Sequence, residues 1–188
     1  MKTLTFLFIL ITWNVFAQQP VQNFSLVNVV DNSTISLESY QSCSAVVVIF
    51  TGNECAYDAY YTARIKMLTD TYKGKIQFLL VNSYVEPTEA ADKMRAVYNG
   101  WGMAVPYLAD KDQTAMECLN AHKSPEAFLL KNNGGKYTVA YSGAIDDNPQ
   151  VSAAVRETYL RKAIDKLLAG QPIDVANVRA VGCSMRRK

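Results

Sequence analysis

The sequence predicts an α/β protein with a mixed central sheet flanked by helices and an N-terminal β-hairpin extension. The first observation is the run Val46–Phe50, which is apolar throughout and long enough for a strand buried on both faces. The second is a helical spacing of apolar residues after it, followed by another buried strand at 76–82. The third is Asn132–Gly135, a strong hairpin signal between two strands. Parallel strands joined by helices and followed by an antiparallel pair give a mixed sheet covered on both faces.

The first half of the chain supplies the entry hairpin and the central strands. Two short strands are predicted around 24–27 and 34–37, and the short polar side chains of 31–33 favour a turn between them. After the strand at 46–50, a helix is predicted over 57–72 because its apolar residues recur at helical spacing.

The second half continues the alternation of strands and helices. Pro87 lies in the first turn of a predicted helix that ends near Tyr98. A long helix is predicted over 151–169, where apolar residues keep helical spacing and Gly170 follows. Residues 171–188 show no clear periodicity and are expected to form a tail. The remaining predicted elements are an extended piece at 105–108, a helix at 110–120, and strands at 126–131 and 136–141.

The N-terminal residues have the pattern of a signal peptide. Lys2 supplies a positive start, residues 4–15 are largely apolar, and Val15 and Ala17 place small side chains at the two positions that a signal peptidase reads. The apolar run is short for a membrane span. A signal peptide over residues 1–17 is therefore expected, giving an exported, periplasmic or extracellular protein without stable membrane insertion. An uncleaved N-terminal anchor is the alternative.

Length and charge limit the possible partners of the mature chain. Residues 18–170 suit one domain with a sizeable core, followed by the tail at 171–188. The formal net charge of the whole chain is only +2, and loss of Lys2 lowers it further. A near-neutral chain gives no reason to expect nucleic acid or a membrane surface as a partner.

Four cysteines remain after removal of the signal peptide: Cys43, Cys55, Cys118 and Cys183. An exported compartment permits disulfides, and four cysteines allow three full pairings that the sequence does not rank. The sequence has no CxxC motif, no metal-ligand spacing and only one histidine, His122. We therefore expect no metal site and no cofactor.

Cys55 follows a short polar turn and precedes the first predicted helix. A cysteine at a strand-to-helix junction lies near unpaired N–H groups and the positive end of the helix dipole, and both stabilise a thiolate. Cys55 is therefore the candidate nucleophile, and a buried structural cysteine is the alternative. The neighbouring acids Glu54 and Asp58 are interpreted as solvated residues that complement the dipole at the helix start.

Several segments, spread over nearly the whole mature chain, carry a resemblance to one family. They are the entry hairpin at 24–40, the strand and turn Val46–Cys55, the dipeptide Ser124-Pro125, the run Tyr141–Asn148, and the C-terminal runs Leu168–Pro172 and Val181–Met185. On these residues the chain resembles the thioredoxin-like superfamily, in its branch of exported AhpC/TSA-type redoxins. The resemblance implies a thioredoxin-like fold.

The resemblance also implies that Ser124 and Pro125 form a cis-proline loop beside Cys55, whose backbone groups can pair with an extended substrate peptide. A trans proline at the start of a strand is the alternative. Lys123, brought close by that loop, is expected to lower the pKa of the Cys55 thiol.

The chain departs from the branch pattern in ways that make its active site degenerate. Gly52 and Lys123 stand where cysteines are usual, Ala56 where proline is usual, and Asp58 where thioredoxins proper have their second cysteine.

Because a local partner thiol is missing, Cys55 needs a distant or external thiol to resolve the product of its attack. Cys183 is favoured, since it lies in a tail able to reach back across the fold. Cys118 is the other candidate, and it is alternatively a small buried apolar residue of a short helix.

The predicted function is that of an exported thiol oxidoreductase or peroxidase-like antioxidant protein. Its predicted partners are a thiol or disulfide protein, or a peroxide substrate. The catalytic residues are expected to be Cys55, Cys183, Ser124 and Pro125. The alternative is a catalytically degenerate redoxin-fold protein that binds a peptide or small ligand beside Pro125, with the cysteines only stabilising the fold.

Overall fold

A computed structural model describes residues 19–188 of the chain. The predicted signal peptide, residues 1–17, lies outside the described residues. None of the helices in the described part of the chain is long and apolar enough to cross a membrane.

Within residues 19–188 the chain forms ten strands and four α-helices. The strands are β1 (Ser25–Asn28), β2 (Thr34–Ser36), β3 (Ala45–Phe50), β4 (Gln77–Asn82), β5 (Tyr107–Ala109), β6 (Lys123–Ser124), β7 (Glu126–Asn133), β8 (Lys136–Gly143), β9 (Asn177–Val178) and β10 (Cys183–Ser184). The helices are α1 (Ala56–Thr71), α2 (Ala91–Asn99), α3 (Thr114–Leu119) and α4 (Tyr159–Leu168). Short 3₁₀ turns lie at Leu37–Tyr40, Pro87–Glu89 and Ser152–Ala154.

The main sheet has eight strands in the order β2-β1-β5-β4-β3-β7-β8-β9. Strand β4 runs parallel to both β3 and β5, whereas β7 is antiparallel to β3 and β8. The entry hairpin of β1 and β2 joins the sheet through an antiparallel pairing of β1 with β5. The prediction of a mixed sheet with an N-terminal hairpin is therefore confirmed. Strands β6 and β10 form a separate two-stranded sheet.

Strand β3 separates two apolar layers. All six of its residues are buried, as expected for a strand covered on both faces. Val47 and Ile49 belong to one apolar cluster, and Val46 and Val48 belong to the other. Helices α1, α2 and α4 contribute buried side chains to the first cluster, and α3 contributes to the second. Helices therefore cover both faces of the sheet, as predicted.

The predicted long helix at 151–169 is wrong in its first half. Only the part from α4 onward is α-helical, and the residues before it form a 3₁₀ turn and an extended stretch. The Asp147 carboxylate accepts the backbone N–H of Arg156 at 3.0 Å, and the backbone N–H of Asp147 donates to the carbonyl of Glu157 at 3.0 Å. These loop contacts use backbone groups that a helix would need, so the helix starts later.

Two other predicted helices are shorter than expected. The helix predicted from Pro87 is interrupted at Ala90, which is extended (φ −62°, ψ 157°) between the 3₁₀ turn and α2. The helix predicted over 110–120 is reduced to α3. Asp110 stands outside α3, where its carboxylate accepts the N–H of Ala115 in the first turn at 3.1 Å. Acceptance of these otherwise unpaired N–H groups by a side chain fixes the start of the helix.

The tail at 171–188, expected to lack regular structure, contains two short strands. Strand β9 pairs in parallel with the end of β8, and the N–H of Ala144 donates to the carbonyl of Val178 at 3.0 Å. Strand β10 pairs antiparallel with β6, which places Cys183 opposite Ser124. The tail therefore contacts first the main sheet and then the segment that precedes Pro125. Strands of two residues carry no periodicity in the sequence, so these pairings were not predictable from it.

Candidate active site

Cys55 is the N-cap residue of α1 and follows the loop at the end of β3. Its backbone is extended (φ −75°, ψ 121°), and its carbonyl accepts the N–H of Asp58 at 3.0 Å. The first turn of the helix therefore begins at the cysteine itself. Only 8% of the residue is exposed. A sulfur at the N-terminus of a helix of 16 residues lies where the helix dipole favours negative charge.

Cys55 is joined to Cys183 by a disulfide, although the two residues are 128 positions apart in the sequence. Their Cα atoms are 6.0 Å apart, and the bond connects the start of α1 to β10. Cys43 and Cys118 are free and half-buried. Cys118 packs against the apolar cluster around α3, and burial raises the pKa of its thiol. This environment agrees with Cys118 as a small apolar residue of the helix.

Ser124 and Pro125 lie at the junction of β6 and β7, and the peptide bond between them is cis. Ser124 is completely buried, and its carbonyl oxygen lies 3.4 Å from the Cys55 Sγ atom. Because β10 pairs with β6, Cys183 reaches the same place from the other side. The structure thus brings together the four residues singled out in the sequence.

Gly182 permits the close approach of the tail to this loop. A Cβ atom at this position would lie 2.2 Å from the Ser124 carbonyl oxygen and 3.1 Å from the Pro125 nitrogen. Both contacts involve backbone atoms, which cannot move aside without shifting the loop. A side chain at position 182 would therefore separate the tail from the loop and remove Cys183 from Cys55.

Asp58 is buried, so its interpretation as a solvated residue at the helix start is wrong. Its carboxylate folds back under the loop that precedes α1, and only 3% of the residue is exposed. One oxygen, Oδ2, accepts the backbone N–H of Gly52 at 2.8 Å and also the hydroxyl of Ser124. The other oxygen, Oδ1, has no hydrogen-bond partner among the described residues. Asp58 therefore links the cysteine loop to the cis-proline loop.

Burial changes the protonation of Asp58. It raises the pKa of this carboxyl from 3.8 to about 7, and the negative charge of Glu89 acts in the same direction. The hydrogen bonds from Ser124 and Gly52 oppose this rise because they favour the carboxylate. Asp58 consequently changes charge near neutral pH. It is hydrogen-bonded to the Ser124 hydroxyl, and the Ser124 carbonyl oxygen contacts the Cys55 sulfur.

Glu89 is a second buried acid beneath the same loop, and its role was not predicted from the sequence. Its carboxylate accepts the backbone N–H groups of Asn53 at 2.9 Å and Glu54 at 3.1 Å. It also accepts the side-chain amide of Asn82, at the end of β4, at 2.7 Å. These bonds fix the loop that presents Cys55. Its partners in that loop are 35 and 36 residues earlier in the chain, so no local pattern marks Glu89.

Tyr84 fills the space beside Gly52, where the resembling branch usually has a cysteine. A Cβ atom on Gly52 would lie 2.7 Å and 2.9 Å from two ring carbons of Tyr84. The tyrosine hydroxyl is buried without a hydrogen-bond partner among the described residues, and burial raises its pKa. The loop is therefore shaped around glycine, and a CxxC pair would require the tyrosine ring to move.

The remaining neighbours lie closer to solvent. The Lys123 ammonium donates to the Ser184 hydroxyl at 2.9 Å and so binds the tail, while Glu54 is exposed, as predicted. The expected effect of Lys123 on the pKa of the Cys55 thiol stays a prediction. Residues 19–188 contain no cluster of three His, Cys, Asp or Glu side chains able to hold a metal ion.

Comparison with known proteins finds similar solved structures. No protein-family model and no curated protein matches the chain. Among solved structures, an uncharacterized conserved protein from Geobacillus kaustophilus is 26% identical, with a TM-score of 0.83 over 93% of this chain and 94% of that one. A hypothetical protein from Sinorhizobium meliloti 1021 is 23% identical, with a TM-score of 0.80 over 91% and 94% of the two chains.

A third similar structure carries a functional name. The exposed lipoprotein thioredoxin Etrx1 from Streptococcus pneumoniae strain TIGR4 is 16% identical, with a TM-score of 0.59 over 79% of this chain and 99% of that one. Together with the mixed sheet and its flanking helices, this likeness shows a thioredoxin-like fold. The fold implied by the resemblance in the sequence is therefore confirmed.

Proposed function

We propose that this chain of thioredoxin-like fold is an exported thiol–disulfide oxidoreductase in which Cys55 is the nucleophile and Cys183 is the resolving cysteine. The observation that carries the proposal is the bond between these two residues, which joins a helix N-terminus to a strand lying on the cis-proline loop. The partner is a protein that presents a thiol or a disulfide.

The reaction has two exchange steps. In the reduced protein the Cys55 thiolate attacks a partner disulfide, so a bond forms between Cys55 and one partner sulfur while the other partner sulfur leaves as a thiolate. The Cys183 thiolate then attacks the Cys55 sulfur, forms the intramolecular disulfide and releases the second partner sulfur as a thiolate. The partner gains two electrons, which the two cysteines of this chain lose.

The surroundings of Cys55 favour its role as the attacking sulfur. The N-terminus of α1 stabilises its thiolate and therefore increases the reactive fraction near neutral pH. Asp58 acts in the opposite direction when it is ionised, because a nearby like charge disfavours the thiolate. Since the pKa of Asp58 is raised to about 7, this opposing charge is largely absent below neutral pH.

A peroxidase-like reaction is the second candidate, and the same pair of cysteines supports it. Attack of the Cys55 thiolate on a peroxide gives a sulfenic acid and an alkoxide or hydroxide. Condensation of the sulfenic acid with the Cys183 thiol then forms the same disulfide and releases water. Both reactions end in one product, so turnover of the two substrates must be compared directly.

The test compares the wild-type chain with Cys55→Ser and Cys183→Ser, and uses Cys118→Ser as the matched control. We expect the wild type and the control to reduce insulin disulfides with a dithiol as electron source, and both site variants to lose most of this turnover. Turnover with hydrogen peroxide instead of insulin would assign the peroxidase-like reaction. Equal turnover in the wild type and Cys55→Ser, with a disulfide that resists mild reductant, would support the ligand-binding alternative.

Export is part of the proposal and has its own measurement. The N-terminal pattern over residues 1–17 supports cleavage after Ala17. The intact mass of the protein recovered from the exported fraction should correspond to a chain that starts at Gln18. A mass that retains Met1 would favour an uncleaved anchor instead.

A further inference from the structure

We propose that the C-terminal segment 179–188 is an intramolecular substitute for a partner peptide, and that its position on the protein defines the peptide that the reduced protein binds. This inference rests on the proposed function and specifies its partner. The partner is an extended peptide with the pattern Gly-Cys-x-apolar, bound antiparallel to β6 with its cysteine opposite Cys55.

The first argument is the backbone pairing of the tail. Strand β10 is held on β6 as an antiparallel partner, and the N–H of Met185 donates to the carbonyl of His122 at 3.0 Å. Strand addition of this kind uses main-chain hydrogen bonds, which any extended peptide can offer. The cysteine of the added strand lies opposite Ser124, the residue whose carbonyl contacts the Cys55 sulfur.

The second argument is that Gln113 binds the backbone of the tail at two residues, Arg186 and Lys188. Its side-chain amide donates to the carbonyl of Arg186 at 2.7 Å, and its oxygen accepts the N–H of Lys188 at 2.8 Å. Gln113 is the N-cap residue of α3, where its backbone is left-handed (φ 60°), and only 2% of the residue is exposed. A buried amide that binds only main-chain groups recognises an extended chain rather than particular side chains.

The third argument concerns the two positions where a side chain does matter. Gly182 has no room for a Cβ atom, because the Ser124 carbonyl oxygen would be 2.2 Å away. Met185 is buried in the apolar cluster that includes Ala115, Met116 and Leu119 of α3. Ser184, between them, is exposed. A partner must therefore have glycine before its cysteine and an apolar side chain two residues after it.

Because the tail and the partner use the same edge of β6, they exclude one another. Reduction of the Cys55–Cys183 bond by a dithiol, which is itself oxidised to a disulfide, frees the tail to leave this edge. The partner then binds there and its disulfide is attacked by Cys55. Return of Cys183 reforms the intramolecular disulfide, expels the partner cysteine as a thiolate and restores β10 to β6.

The experiment measures capture of a synthetic peptide with the sequence of residues 179–188, activated at its cysteine as a 2-thiopyridyl disulfide. The full chain is used with Cys43→Ser, Cys118→Ser and Cys183→Ser, so that Cys55 is its only thiol. Release of thiopyridone gives the rate, and intact mass confirms the adduct. We expect peptides carrying Gly182→Ala or Met185→Asp to react about tenfold more slowly than the parent peptide, and one carrying Val181→Thr, at an exposed position of the same segment, to react at the parent rate.

Two substitutions in the protein should change the rate of peptide capture in opposite directions. Met185→Asp loosens the competing tail and should accelerate peptide capture about tenfold, whereas Val181→Thr in the same tail should not. In the Met185→Asp background, Gln113→Ala should slow capture about tenfold because it removes two bonds to the bound backbone. Equal capture of all the peptides by all the variants would overturn the inference.

Amide exchange provides a second readout in the wild-type chain. Reduction by a dithiol should accelerate exchange of the Met185 N–H, which is bound to His122 in the oxidised state. Unchanged protection after reduction would show that the tail does not leave β6 and would contradict the inference. A small disulfide such as dithiodipyridine separates the two proposals. If Cys55 fails to react with it, the proposed function fails, whereas reaction without peptide selectivity removes only the inference about the partner.

Discussion

At the scale of single residues, the position of Asp58 decides its charge. The carboxyl is buried beneath the loop before α1, where it accepts hydrogen bonds from Gly52 and Ser124. Desolvation outweighs these bonds and raises its pKa to about 7. The folded protein therefore binds a proton at Asp58 over a range of pH in which the unfolded chain has already released it.

Replacement of Asp58 by Asn should reveal this proton as a pH-dependent difference in stability. The folded pKa is raised above the ordinary value of 3.8, so the stability due to the protonated carboxyl is present below about pH 4 and is lost as pH rises through 7. The free energy of unfolding of Asp58→Asn, relative to the wild type, should therefore increase by about 4 kcal/mol between pH 4 and pH 8. Urea unfolding at several pH values measures it, and a constant difference would contradict the buried protonated state.

The fit between Gly52 and Tyr84 gives a prediction about restoring a second cysteine to the loop. Gly52→Ala adds only the Cβ atom that would lie 2.7 Å from the Tyr84 ring, and it should lower the free energy of unfolding by about 1–3 kcal/mol. In a Tyr84→Leu background the same change should cost less than about 1 kcal/mol, because the ring carbons in contact are gone. A double-mutant cycle by urea unfolding measures the coupling. Equal costs in both backgrounds would show that the Tyr84 ring is not the source of the destabilisation.

At the scale of elements, helix α1 is fixed to the loop after β8 by a buried ion pair. The Arg64 guanidinium donates to both carboxylate oxygens of Asp146, at 2.7 Å and 2.9 Å, and to the carbonyl of Asn148 at 2.7 Å. It also stacks on the Tyr61 ring at 3.7 Å from the centroid. Because α1 carries Cys55 at its N-terminus, this contact helps to determine the position of the sulfur.

Breaking this pair should cost far more than breaking an exposed pair on the same helix. Asp146→Asn leaves the Arg64 charge buried without its counter-ion, and it should lower the free energy of unfolding by about 3 kcal/mol. Asp70→Asn removes the exposed partner of Lys66 and should cost less than about 1 kcal/mol. Urea unfolding of the two variants gives the comparison, and similar small losses would mean that the buried pair contributes little.

The elements that the sequence predicts well are those with a continuous local pattern. The apolar run of β3, the helical spacing of α1 and the Asn-Gly hairpin between β7 and β8 each lie within a short segment. Other features depend on partners outside the element itself. The start of α4 is set by backbone bonds with Asp147, and β9 and β10 exist only because other strands lie beside them.

The same distinction applies to the candidate site. Cys55 could be found because a strand-to-helix junction is a local feature, and Pro125 because the resemblance extends over its neighbours. Asp58 and Glu89 could not be recognised as buried, since their partners lie up to 66 and 36 positions away. Burial of an acid depends on the loops that fold over it, and a single sequence does not contain that arrangement in any local pattern.

At the scale of the whole molecule, the disulfide closes most of the chain into one loop. A bond between residues 128 positions apart restricts the unfolded chain strongly, so it stabilises the folded state. Cys183→Ser, or reduction of the wild type, should lower the free energy of unfolding by about 4 kcal/mol. Cys43→Ser changes a free cysteine and should have less than about 1 kcal/mol of effect. Urea unfolding with and without a dithiol measures this, and identical midpoints in the two conditions would contradict it.

The short connection between β9 and β10 limits how far a released cysteine can travel. Only four residues separate Val178, which is paired with the main sheet, from Cys183. A fully extended segment of that length spans about 15 Å. The thiol therefore remains at a high effective concentration near its partner sulfur, on the order of millimolar. Formation of the Cys55–Cys183 disulfide should consequently be faster than reaction of Cys55 with free thiols in the surrounding medium. An affinity tag fused after Lys188 would add bulk to the segment that moves, and should slow this step.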